Sequence, residues 1–213
     1  QAVGDLIASK DLKDIGLRRR DEIKPNRDLM FNKVLRAVGR GLGVAVPRAF
    51  LSERAVGVHI EGTMPPILFL GPDMLQGKTE AEMSFVLGKL MAYFHPMHMF
   101  AGAFPTPILY GLLNCAYKYC FPNEALPDDS EALDELVRKM RRKMPQQLHY
   151  QITNNMQQFR ATYTTPRDFD IEAWLTRIEL TANHAALLCC GDVETAGRII
   201  NAETLALSQI GRA

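Results

Sequence analysis

The chain has 213 residues, 47% of them hydrophobic and 23% charged, which is enough apolar surface to offset chain entropy in one large domain or two small ones. A disordered tail or a mini-protein is excluded. Lys plus Arg number 25 against 24 Asp plus Glu, and the resulting +1 gives no general electrostatic pull toward nucleic acid or an anionic membrane. Four cysteines are too few for a disulfide scaffold, and with no signal pattern at the start the expected setting is reducing and cytoplasmic.

Residues 1–27 read as a helical lead-in or linker, followed by a single domain over 28–213. The Arg18, Arg19, Arg20 run is bracketed by Asp14, Asp21 and Glu22, as on a solvated, salt-bridged face. Asp28 is placed to cap a helix with apolar positions Met30, Val34, Leu35 and Val38, closed by the Gly39, Gly41, Gly43 cluster. Short strands are predicted at Val44–Val46, Ala49–Leu51, Ala55–Ile60 and Ile67–Leu70, mainly antiparallel. Thr79 and Glu82 form a capping box for an almost wholly apolar helix through Phe94, the pattern of a buried central helix.

From Met99 to Tyr117 no residue is charged, but Pro105 and Pro107 interrupt the run and membrane association is not expected. Asp128, Asp129 and Ser130 open an amphipathic helix through Lys143, and a polar helix follows to about Thr165. Asp168 is expected to cap a long helix to Gly191, and Asp192 a last one. The fold class is α+β, helix-dominated, with a small sheet.

Two local patterns suggest chemistry. Gly71–Thr79, GPDMLQGKT, sits between a strand and a helix like a phosphate-binding loop. Five residues separate its glycines where a Walker A loop has four, and Pro72 lacks the N–H such a loop needs. His95 and His98, Cys115 and Cys120, and Cys189 and Cys190 do not make paired zinc ligands. Read from spacing alone, they are surface histidines and buried thiols.

The segment ILFLGPDMLQGKTEAEMSFVLGKLMAYF, Ile67 to Phe94, together with RIELTANHAALLCCGD, Arg177 to Asp192, resembles the HtpX and CAAX-prenyl-endopeptidase family of zinc metallopeptidases. The resemblance runs over roughly residues 30–205 and implies a zincin-like domain. That family places two histidines at i and i+4 on one helix, a glutamate beside the first as general base, and a later glutamate as third zinc ligand. Read across, the first histidine falls on Lys89, the base on Leu90 and the second histidine on Tyr93. Glu179 keeps the third-ligand position, and Asn183 stands where the family has aspartate. The resemblance therefore implies a degenerate peptidase with no catalytic residue, no metal and no cofactor.

Charge adds one expectation. Glu179 without its zinc needs another cation, and Lys89 is predicted within salt-bridge reach of it, with Leu90 and Tyr93 filling the vacated cavity. The ordinary alternative is two separately solvated side chains. The implied function is protein–protein interaction or scaffolding, with a protein partner or a neighbouring domain of a larger polypeptide and no nucleic acid. Two other readings are an active zinc peptidase with a displaced metal at Glu179, His95 and His98, served by Glu124 or Asp128 as base, and a nucleotide-binding protein using residues 71–79.

Overall fold

The computed structural model describes residues 11–63, 65–126 and 129–210, with side chains as far as Glu203. Among these residues there are eight α-helices and one three-stranded sheet, a helix-dominated α+β architecture. The chain divides into two compact units. One takes Asp11–Ala103 together with the residues from Thr176 onward, and the other takes Phe104–Leu175.

In the first unit, β1 (Ala49–Leu51), β2 (Val58–Glu61) and β3 (Ile67–Leu70) lie in the order β1-β3-β2. β1 runs parallel to β3 and β2 antiparallel to it, so the sheet is mixed rather than mainly antiparallel. From β1 the chain passes to the far edge as β2, and a hairpin-like return brings it back between them as β3, in the direction of β1. Val44–Val46 forms no strand, and the second strand begins at Val58 rather than Ala55, after a turn whose Gly57 has φ +69°. That left-handed conformation admits glycine at little cost.

Alternation along the strands sorts their side chains between two apolar layers. Ala49, Leu68 and Leu70 face a core built with Phe31, Val34, Leu35 and Val38 of α1 (Met30–Leu42) and Met83, Leu87 and Met91 of α2 (Glu80–Tyr93). Phe50 and Ile67 face the other way, onto Leu17 with Leu12 and Ile15. The described part of the stretch before α1, from Asp11 on, therefore covers the back of the sheet. Its helical content among the described residues is a single 3-10 turn, Arg19–Asp21, and Ile23 N–H bonds the Ala49 carbonyl at 2.8 Å.

The caps show how local chemistry sets the helix ends. Leu29, not Asp28, is the N-cap of α1, because the Asp28 carboxylate pairs with Lys33 at 2.7 Å. Gly43, with φ +66°, closes that helix. The predicted capping box is present on α2: Glu82 N–H donates to Thr79 Oγ1 at 3.2 Å and Thr79 N–H to Glu82 Oε2 at 2.8 Å. α3 (Met99–Ala103) follows α2. α7 (Ile171–Cys190) is capped by Asp170, whose carboxylate accepts from Ala173 N–H at 2.9 Å, rather than by Asp168. Asp168 instead closes a box with Thr165 over the 3-10 turn Pro166–Asp168. Asp192 caps α8 (Val193–Ile210) through the N–H groups of Glu194 and Thr195.

The second unit contains α4 (Thr106–Cys120), α5 (Glu131–Lys143) and α6 (Gln146–Thr162) around Cys115, Tyr117, Leu126, Leu133, Val137 and Met140. Ser130 caps α5. Pro105 is the N-cap of α4, which breaks the uncharged run from Met99 to Tyr117 into α3 and α4. Among the described residues no helix is long and apolar enough to cross a membrane.

Candidate functional site

The site lies in the first unit, where α2, α7 and α8 meet. α2 and α7 approach closely at Gly88, where a Cβ would come within 2.9 Å of the Ala186 Cα and 3.0 Å of the Cys189 Cβ. Phe85, Ala186 and Ala196 are buried together beside this crossing, with Ile199 and Ile200 packed on them. Small residues at the contact let two helices come near enough for medium-length side chains to meet across the seam.

Lys89 and Tyr93, one turn apart on α2, both reach Glu179 of α7. Lys89 Nζ lies 2.6 Å from Glu179 Oε1 and 2.6 Å from Glu203 Oε2 on α8. Tyr93 Oη–H donates to Glu179 Oε2, and the Asn183 side chain hydrogen-bonds the same carboxylate. The lysine side chain is only 15% exposed, while the two glutamates remain 44% and 43% exposed. A cation therefore sits inside, between two carboxylates that keep one side toward water.

Each group is held in one protonation state. Burial pulls the Lys89 ammonium down, but its bonds to Glu179 and Glu203 outweigh this and hold it above its ordinary value. Burial pushes Glu179 up, and the hydrogen bonds from Lys89 and Tyr93 win, leaving it below the usual carboxylate range. Burial and the facing Glu179 raise the Tyr93 phenol, so it stays protonated and donates. Tyr93 lies close against Gly102 of α3, where a Cβ would meet the Tyr93 Cβ at 2.7 Å.

Of the five positions singled out in the sequence, Lys89, Tyr93, Glu179 and Asn183 are brought together. Leu90 is not. It packs, half-buried, against the core formed by α1, α2 and the sheet, because an aliphatic side chain gains from that core and nothing from a cluster of carboxylates. The Asn183 Oδ1 is buried without a partner. Glu203 was missed by sequence reasoning: it lies in a run with no motif, and only the return of α8 over α2 places it. A second tie between the same helices joins Arg198 to Glu82 at 2.8 Å.

These residues do not fit catalytic zinc. Where the resemblance expects two imidazoles there are an ammonium without a lone pair and a phenol held in its neutral form, and no general base stands at Leu90. Among the described residues no three or more His, Cys, Asp and Glu side chains are placed to hold an ion, so His95 and His98 do not converge with Glu179. Glu124 is engaged by Tyr117 Oη–H at 2.5 Å and by Arg160 at 2.7 Å. Asp128 lies outside the described residues.

The 71–79 loop is likewise occupied internally. The N–H groups of Gly71, Met74 and Leu75 bond the carbonyls of Gly57, Gly71 and Pro72, and Thr79 N–H serves the capping box. Asp73 turns its carboxylate onto Gly57 N–H at 2.9 and 3.0 Å. A phosphate there would meet the Asp73 carboxylate and a loop whose Gly71, Met74, Leu75 and Thr79 N–H groups are already engaged.

No family model, curated protein or solved structure matches the chain. The functional reading rests on the residues themselves.

Proposed function

We propose that the chain is a non-catalytic, metallopeptidase-like domain that serves protein–protein interaction or scaffolding, beside a protein partner or a neighbouring domain of a larger polypeptide, in the cytoplasm. The supporting observation is the Lys89 ammonium bridging Glu179 and Glu203 at 2.6 Å each. It stands on α2 at the position the resemblance gives to a first zinc-binding histidine, with Tyr93 one turn on and Glu179 opposite. A fixed internal cation offsets the carboxylate charge that zinc would otherwise balance. What this arrangement retains is a folded shape, and what it lacks is a nucleophile-activating group. The four free cysteines suit a reducing compartment.

The test is elemental mass spectrometry on the full chain, purified without an affinity tag or chelator and again after incubation with excess zinc and desalting. Zinc far below one per chain in both samples is expected. About one zinc per chain, with hydrolysis of a peptide library, would overturn the proposal.

A further inference from the structure

The turn between α2 and α3 holds a second group of chemistry-bearing side chains. After Phe94 the chain bends through His95, Pro96, Met97 and His98, and the N–H groups of His98 and Met99 both donate to the His95 carbonyl, at 2.9 and 3.1 Å. Pro96 restricts the bend further. The two imidazole rings face each other with centroids 5.4 Å apart, tilted by 46°. Between them in sequence stands Met97, 74% exposed, a thioether with little packing role.

The ring nitrogens are already oriented. His98 Nδ1 lies 3.2 Å from the Ala92 carbonyl, which only accepts, and a neutral ring donating Nδ1–H to it keeps its Nε2 lone pair for a ligand. A backbone carbonyl fixing the opposite nitrogen is the usual way an imidazole is aimed at a metal. His95 Nδ1 accepts the Met97 backbone N–H at 3.3 Å, and an incoming ion would displace only that one long, exposed hydrogen bond.

We propose that His95, Met97 and His98 bind one soft monovalent metal ion, copper(I), through His95 Nδ1, Met97 Sδ and His98 Nε2. Ring centres 5.4 Å apart are close enough for one ion to bond a nitrogen of each ring at about 2.0 Å. Thioether and imidazole ligands without a carboxylate select copper(I) over magnesium, calcium or manganese. The site is distinct from the Lys89 cluster and needs neither Glu179 nor a third histidine.

The experiment uses the full chain with carbon-13 in its methionine methyl groups. Silver(I), a closed-shell ion of the same charge, is titrated first, and copper(I) follows under reducing, oxygen-free conditions. Met97→Leu assigns the Met97 resonance by removing it. The expected result is a Met97 methyl shift that saturates near one equivalent, while Met83 and Met91, both buried in the core, do not move and report an intact fold. His95→Ala/His98→Ala should abolish the shift, and a tenfold excess of zinc(II) should leave it in place. A Met97 methyl unmoved through one equivalent, as when the ion goes to the cysteines instead, overturns the proposal. So does a shift that survives loss of both histidines.

Discussion

Lys89 and Glu179 belong to helices far apart in sequence, yet the ammonium and the carboxylate meet at 2.6 Å, and the same ammonium reaches Glu203 at 2.6 Å. The lysine is thus shared among three helices. Losing it should loosen the seam and leave two carboxylates facing each other. Because both glutamates are more than two-fifths exposed, water takes up part of the loss, and Lys89→Met should destabilise the chain by about 1–3 kcal/mol, below the range of fully buried pairs. A double-mutant cycle with Glu179→Gln, read by urea denaturation, should give a coupling of about 1 kcal/mol. Additive single effects would mean the pair contributes nothing as a pair.

The close approach at Gly88 separates two kinds of helical glycine. Gly88→Ala gains helix propensity but drives a methyl into the Ala186 backbone at 2.9 Å, and overpacking of that kind costs about 1–3 kcal/mol. A methyl added at Gly111 on α4 would meet nothing within 4 Å, so Gly111→Ala should stabilise by about 0.5–1 kcal/mol. Thermal midpoints of the two variants should therefore move in opposite directions.

Acid should weaken the α2, α7 and α8 seam. Glu82 is brought from 4.5 to about 2 by the Thr79 N–H, then by Arg198 and the Thr79 hydroxyl, and Glu179 is lowered as well. Both are depressed in the folded state, so the stability they contribute is present above about pH 4.5 and lost as pH falls toward 2. Lys89 has the opposite sense: it is raised above 10.5, and its contribution is complete below that pH and lost above it. Between these limits the thermal midpoint should be nearly flat. Glu82→Gln should reduce the slope on the acid side, measured by circular dichroism across the pH range.

How legible this was in the sequence differs from residue to residue. Thr79 with Glu82, and Asp192 with Thr195, are local pairs whose hydrogen bonds are decided within one turn, and both were readable. Asp168 and Asp170 compete for the same helix start, and the winner depends on where the chain turns after Pro166. The parallel pairing of β1 with β3 depends on the path through β2, which alternation along a strand does not encode. Lys89 and Glu179 were connected only through a family resemblance and a charge argument. Glu203 and the exclusion of Leu90 from the site depend on helix packing, for which one sequence holds no local signal.

The proposed function takes the Lys89, Tyr93 and Glu179 arrangement as a metallopeptidase-like site in which an ammonium stands in place of the ion. Its most direct test is to restore the missing ligands with Lys89→His/Tyr93→His in the full chain and to measure bound zinc by elemental mass spectrometry, with circular dichroism reporting the fold. The account predicts about one zinc per folded chain, lost when Glu179→Ala is added, because three ligands on facing helices complete a catalytic-type zinc shell with one open position. A folded variant that binds no zinc, or binds it equally well without Glu179, would contradict the account.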